Sequence, residues 1–286
     1  MRSIGAVLAL FVLSACAAPT EPAVPIDEVF PDAALTACVA TAAGVASTKS
    51  ADLAGIEELH CDGLHADPIR SLEGVERLTA LIDLDLPRNE ISDLTPLHGL
   101  SHLGTLTLTD NQVADLTPLT GMQLFDVGLS QNPISDLSPL QDTTTLNALG
   151  VAAAQVTDIG PLAGHDGLRT LDLSQNAITD VSPLEGLPSL DTLRLSRNQI
   201  VDPAPLGTIP TLLILDVWGN RISDVHGLAA APLLQELQLG ANPLGDLTPL
   251  LQVHTLVNLG LDDTDTANVT GIEELRAAGV SVNGLA

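Results

Sequence analysis

The feature that most constrains this chain is a repeat. The sequence runs Leu81-x-x-Leu84-x-Leu86-x-x-Asn89-x-Ile91-x-Asp93-Leu94-x-Pro96-Leu97, and 22 residues later the same places hold Leu103, Leu106, Leu108, Asn111, Val113, Asp115, Leu116, Pro118 and Leu119. The first apolar residue of each unit falls at Ile56, Leu81, Leu103, Leu124, Leu146, Leu168, Leu190, Leu212, Leu234 and Leu256, ten units with steps of 25, 22 and 21 and then 22 throughout. A unit this short cannot bury its apolar face alone, so neighbours must stack and share one continuous core. Each Leu-x-x-Leu-x-Leu predicts a short strand with alternate residues inward, and ten strands stacked in parallel at about 4.8 Å span roughly 48 Å.

The polar residues of the unit have structural work in such a stack. The amides of Asn89, Asn111, Asn132, Asn176, Asn198, Asn220 and Asn242 both donate and accept, so stacked copies can satisfy backbone groups where the chain turns off each strand. The acids at 93, 115, 136, 158, 180, 202, 224 and 246 precede a short apolar-x-Pro-Leu stretch and can cap a helical turn. Paired carboxylates here therefore need not mean acid–base chemistry. The apolar fraction is 45% but the aromatic fraction only 1%, which suits a repetitive core of Leu, Val, Ile and Ala better than an enzyme pocket closed by rings. With 36 acids against 10 bases the formal charge is −26, which excludes nucleic acid and anionic lipid binding through a basic patch.

The unit resembles that of the short-repeat, internalin-type leucine-rich repeat family, over residues 53 to about 270. Val29-Phe30-Pro31-Asp32-x-x-Leu35 and Ser71-Leu72-Glu73-Gly74-Val75-Glu76-Arg77-Leu78 likewise resemble that subgroup's helical cap and first repeat. The resemblance implies an α/β solenoid with a concave parallel β-sheet, short 3-10 or turn segments on the convex side and a helical N-terminal cap. It also implies ligand binding on the exposed positions of the concave strands. Departures are Ala154 and Thr264 at Asn positions, Leu64 in the first unit, His226-Gly227 in place of a residue plus Pro, and a one-residue deletion before Leu124.

Ahead of the repeats, residues 1–15 carry one charge, Arg2, then an apolar run too short to span a bilayer, the pattern of a secretory signal. Leu13-Ser14-Ala15-Cys16 resembles the lipobox of bacterial lipoproteins, which implies cleavage before Cys16 and lipidation of it. Ala17, where an inner-membrane retention signal would show Asp, directs the expectation towards the outer membrane or cell surface. Pro19, Pro22 and Pro25 favour an extended tether. Outside the cytosol the two remaining cysteines, Cys38 and Cys61, can form a disulfide. Cys38 lies on the apolar face of a helix predicted over 31–43 with Leu35, Val39 and Ala42, and Cys61 at an inward position of the first strand; two buried free thiols are the alternative. The expected organisation is a signal peptide at 1–15, a tether at 16–28, a helical cap at 29–52, the solenoid at 53–270 and a C-terminal cap at 271–286, with a helix over 272–278 and a last strand near 280–282.

Motifs for catalysis are missing: there is no G-x-S-x-G, P-loop, H-E-x-x-H or complete dinucleotide fingerprint. The seven His are scattered and read as solvated loop residues, and Asp262-Asp263-Thr264-Asp265 lacks the Gly and terminal Glu of a calcium loop. No enzyme activity, cofactor or metal is expected. On the concave strands most exposed positions are small or acidic, and Trp218 is the exception. It predicts a contact site with Arg194, Arg197, Ile214, Asp216 and Gln238; packing of Trp218 over its neighbours, stacked with Arg194 or Arg197, is the alternative. The expected protein is a monomeric, lipid-anchored envelope module that binds a protein ligand, favoured to be basic by the −26 charge. An envelope spacer or an adhesin without one defined site is the competing expectation.

Overall fold

Eleven parallel strands form one sheet, each paired with its sequence neighbours. They are β1 (Glu58–His60), β2 (Asp83–Asp85), β3 (Thr105–Thr107), β4 (Asp126–Gly128), β5 (Ala148–Gly150), β6 (Thr170–Asp172), β7 (Thr192–Arg194), β8 (Ile214–Asp216), β9 (Glu236–Gln238), β10 (Asn258–Gly260) and β11 (Ser281–Asn283). This is the arrangement in a computed structural model of the chain, which describes residues 24–46, 53–65 and 67–284. The ten repeat units supply β1 to β10 in strict register, Leu84↔Leu106↔Val127 and onward to Leu237↔Leu259. The middle residue of each of these ten strands is buried and its two neighbours face out in partial or full exposure, Gly260 excepted. Opposite the sheet, short 3-10 turns such as Thr95–Leu97, Thr117–Leu119 and Ser138–Leu140 each bury a Leu in the same core.

The Asn column works as the spacing predicts, and across units. Asn111 Nδ2 donates to the carbonyls of Leu108 in its own unit and Leu86 in the preceding one, at 3.0 and 2.9 Å, while its Oδ1 accepts the Ile91 N–H at 2.9 Å. Asn132, Asn176, Asn198, Asn220 and Asn242 repeat the pattern. The residue before the Asn position is left-handed at φ 51–60° in Arg88, Asp110, Gln131, Ala153, Gln175, Arg197, Ala241 and Asp263, so the turn off the strand carries a small backbone strain that the Asn bonds offset. On the opposite side, Asp93 Oδ1 accepts the Thr95 N–H at 2.8 Å, and Asp115, Asp136, Asp158, Asp180, Asp202, Asp224 and Asp246 do the same for the residue two ahead.

The front edge of the sheet is covered by α1 (Ile26–Val29) and α2 (Ala33–Ala42). Asp32 caps α2 through Oδ1, which accepts the N–H of Ala34 and Leu35, and its Oδ2 accepts the Arg70 and Ser71 N–H at 2.8 and 3.2 Å. One carboxylate thus ties the cap to the first repeat. Burial raises its pKa, but those four backbone N–H groups outweigh it and leave the group below the ordinary 3.8. Gly74, at φ 98°, lets Phe30 close on the loop, since a Cβ there would sit 2.7 Å from the Phe30 ring and from Val29 O.

Three expectations about this end are corrected. The tether expected over 16–28 ends earlier, because Ile26 is fully buried and Ile26–Val29 is helical; an isoleucine among prolines still has a core to enter. The buried face of α2 is Leu35, Thr36, Val39 and Ala40, with Cys38 half-buried and Ala42 exposed. The helix itself is Ala33–Ala42 rather than 31–43. At the rear, α3 (Ile272–Ala277) buries Leu275 and leads into β11, one residue later than expected. Among the described residues no helix is long and apolar enough to cross a membrane.

Candidate functional site

The concave strands bring Asp172, Arg194 and Asp216 side by side, one per strand, in register across β6, β7 and β8. Arg194 is exposed between the two acids. Burial pushes the Asp216 carboxyl above its ordinary value, and Asp172 adds to this, while the Trp218 N–H bond at 3.0 Å, Arg194 and Ser196 oppose it. Ile214 precedes Asp216 on β8 and is half-buried, as is Gln238 on β9.

Trp218 does not stand bare. Its indole Nε1–H donates to the Asp262 carbonyl at 3.3 Å, two units ahead, and the Arg197 guanidinium sits 4.9 Å from the ring centroid on the other side. The ring can lie down because the intervening residue is Gly240: a Cβ there would meet Trp218 Cδ1 at 2.7 Å and Asp262 O at 2.1 Å. Gln238 repeats the move over Gly260, where a Cβ would fall 1.6 Å from its Oε1. The six residues singled out by sequence therefore gather on the strands and turns of β7 to β9. The ring itself is half-covered rather than facing solvent, because glycines in the next rows leave it a bed.

Two features escape a reading of the strand positions alone. Phe125, 51% exposed, and Ile82, 48% exposed, flank Gly104 at the strand entrances of β4, β2 and β3. The second is His165, expected among solvated loop histidines but only 1% exposed, with Thr143 fully buried one unit before it. Both stand in a column otherwise filled by Leu100, Met122, Leu187, Ile209, Ala231 and Val253, so aligning the units shows them as inward positions. His165 Nε2 lies 3.1 Å from Leu140 O, whereas its Nδ1 and the Thr143 hydroxyl have no partner.

The Cys38 and Cys61 sulfurs are joined, with Cα atoms 6.1 Å apart, and both residues line a groove between α2 and β1. Cys16 lies outside the described residues. Among the described residues no group of three or more His, Cys, Asp or Glu is arranged to hold a metal ion.

A one-layer parallel sheet, a shared Asn column and 3-10 turns opposite define a short-repeat leucine-rich repeat solenoid. The family model for leucine-rich repeats in two copies matches residues 166–207. An internalin, InlF, from Listeria monocytogenes is 26% identical over 94% of this chain and 99% of that one, with a TM-score of 0.72. Internalin C2 from the same organism is 31% identical over 86% of this chain and 100% of that one, with a TM-score of 0.65. The chain belongs to the internalin-type leucine-rich repeat family. The fold also extends to a plant peptide hormone receptor, RGFR1, solved in complex with RGF2, 17% identical over 68% of this chain and 39% of that one, with a TM-score of 0.53. A search of curated proteins by sequence returns no match.

Proposed function

We propose that this protein is a non-catalytic interaction module of the bacterial cell envelope, held by a lipid on Cys16, that binds a protein partner on the concave face of β6 to β9. The observation that carries the reading is the Asp172–Arg194–Asp216 row next to the Arg197–Trp218 stack. Asp172, Arg194 and Asp216 project from strands held by ladder bonds on both sides. Arg197 and Trp218 project from the turns that follow β7 and β8, linked by the Arg197 N–H to the Trp218 carbonyl at 2.7 Å. These groups therefore need little ordering on docking, and they offer both charge signs beside an aromatic ring. The −26 charge favours a basic partner with a salt-sensitive on-rate. The plant receptor RGFR1 in complex with RGF2 is an instance of this fold holding a ligand; its ligand is not carried over to this chain.

The test is a photo-crosslinker at Ser196, which borders Arg197, in cells that make the full chain. One discrete adduct, lost on Trp218→Ala, supports the reading. A ladder of unrelated adducts, or none, favours the envelope spacer, for which the −26 charge alone would suffice. Anchoring is read separately: Cys16→Ser is expected to abolish acyl labelling, and labelling that persists rejects the lipid assignment.

A further inference from the structure

Strand entrances in this solenoid differ from strand interiors in one respect. The N–H groups of Ile82 and Asp83 both donate to Glu57 O, at 2.7 and 3.1 Å, and those of Phe125 and Asp126 both donate to Gly104 O, at 2.7 and 3.2 Å. Two successive residues therefore point the same way, and the first of each pair stands at the rim of the concave sheet instead of entering the core. Down the rim the backbone links Ile82, Gly104 and Phe125 directly, Gly104 N to Ile82 O at 2.9 Å and Phe125 N to Gly104 O. The result is an apolar saddle: two half-exposed side chains with a bare glycine between them. Nothing fills the glycine position, where a Cβ would have only Ile82 O within 4 Å, at 4.0 Å.

The borders of the saddle are acidic. Glu57 and Glu58 are exposed on the β1 side, and Asp83 and Asp126 stand on the inner side next to Ile82 and Phe125. Asp83 faces the His60 imidazole at 3.4 Å with one oxygen, and its other oxygen, Oδ1, is covered and has no hydrogen-bond donor. The Arg88 guanidinium is engaged by Asp62. Asp126 receives only an amide, from Asn147 at 3.2 Å.

We propose that this rim is an interaction surface for a protein segment in which one apolar side chain is flanked by basic residues. The apolar side chain would settle over Gly104 between Ile82 and Phe125, and the flanking cations would meet Asp83 and Asp126. The proposal rests on the interaction-module reading but assigns a contact three units away from the Trp218 cluster, so the two fail separately. The apolar pair supplies the desolvated centre and the carboxylates the charged border, the division of labour seen in protein contacts generally. The partly exposed Asp83 and Asp126 carboxylates, with Glu57 and Glu58 beyond them, select for cations over neutral side chains at the flanks.

The probe is a fluorescein-labelled peptide, Lys-Lys-Leu-Lys-Lys, against Lys-Lys-Ser-Lys-Lys of equal charge, titrated with the full chain by fluorescence anisotropy. The Leu peptide is expected to bind about tenfold more tightly than the Ser peptide. That ratio should fall to about one in Phe125→Ser and in Gly104→Gln, which fills the saddle without touching the core, and should persist in Trp218→Ala. Thermal melts matching the wild type confirm that the rim variants are folded. Equal binding of the two peptides, no saturable binding, or a Leu preference that survives Phe125→Ser overturns the rim. A preference lost only in Trp218→Ala also overturns it, and leaves the concave-face reading standing.

Discussion

The Ile134 N–H bonds to the Asn132 carbonyl, only two residues back, at 2.8 Å. The equivalent N–H groups of Ile91, Val113, Ile178, Ile200 and Ile222 instead reach the Asn side chain of the next unit. The cause is residue 154, an Ala where the column has Asn, and the same substitute bond appears at Leu244, ahead of Thr264. The family's Asn is thus an inter-unit connector, and its absence marks two seams in the array.

Ala154→Asn is expected to close the first seam. Its amide would have the Leu129 and Val151 carbonyls to donate to and the Ile134 N–H to accept, and it should stabilise the array by about 1 kcal/mol. The reverse change, Asn111→Ala, leaves the Ile91 N–H the carbonyl two residues back, as at Ile134, and removes the amide bonds to the Leu86 and Leu108 carbonyls, so it should cost about 1 to 2 kcal/mol. Urea titrations of both variants check the pair, and an Ala154→Asn midpoint at or below the wild type rejects the account.

A second weak point is the Thr143–His165 column. Thr143→Val removes a buried hydroxyl without a partner while keeping the side-chain shape, so it should stabilise by about 1 kcal/mol. His165→Leu restores the apolar character of the column, and Leu140 O keeps the Thr143 N–H at 2.9 Å. Differential scanning calorimetry should show a raised Tm for both; a lowered Tm for Thr143→Val would mean that the hydroxyl is bonded.

What was legible in the sequence follows from which interactions are periodic. Strand register, the Asn column and the Asp turns recur every 22 residues, so a single unit read with elementary hydrogen-bond chemistry contains them. The lean of Trp218 is not periodic: it depends on Gly240 one row on and Asp262 two rows on, residues whose importance lies in what they lack or expose as backbone. The rim pair stands at x positions of the Leu-x-x-Leu pattern, outside the core, but a reading confined to the exposed positions within the strands passes over the strand entrances, where the shared carbonyl acceptor sets these residues along one rim. His165 could have been found by aligning its column; reading histidines by type instead of by column sent it to the surface.

The cap is held twice, by the Cys38–Cys61 bridge and by the Asp32 contacts to Arg70 and Ser71. The bridge closes a loop with a sequence separation of 23, worth about 3 kcal/mol by chain entropy. Reduction alone should raise hydrogen exchange in α2 and β1 while the middle units stay protected, since arrays open from their ends. Asp32→Ala combined with reduction should release the cap altogether. Two free thiols in protein taken oxidised from its native compartment would remove the first tie.

Acid should loosen the convex turns. The carboxyls of Asp93, Asp115 and Asp136 are held below 3.8 by the hydroxyl and then the N–H of the Thr or Ser two residues ahead, and those of Asp180, Asp224 and Asp246 first by the N–H of Ser182, His226 and Thr248. A depressed folded pKa contributes stability that is present above 3.8 and lost as the pH falls through the folded value. Asp216 and Asp85, raised chiefly by burial, act in the opposite sense and recover a part on protonation. Asp115→Asn with Asp136→Asn keeps the acceptors and removes two titrations, so Tm should fall less steeply between about pH 5 and about pH 2. An unchanged slope would show that these turns do not limit acid stability.

Trp218 separates packing from recognition. The ring covers Gly240, donates to Asp262 O and carries Arg197, so Trp218→Ala should cost about 1 kcal/mol of stability, felt in the β8 to β10 units. Trp218→Phe keeps a ring for Arg197 and loses only the N–H bond, so it should recover part of that stability. If the ring is also the anchor for a partner, Trp218→Ala should weaken binding by about 2 kcal/mol or more, beyond what a small loss of folded stability can explain. Arg194→Gln provides the control, since Arg194 is exposed and a neutral side chain adds no like charge beside Asp172 and Asp216, so it should raise the dissociation rate with little change in Tm. Surface plasmon resonance of the crosslinked partner, run beside melts of the same variants, reads both quantities. Binding that is intact in Trp218→Ala and in Arg194→Gln, with the expected drop in Tm for the former, assigns Trp218 to packing alone and moves the contact off β7 to β9.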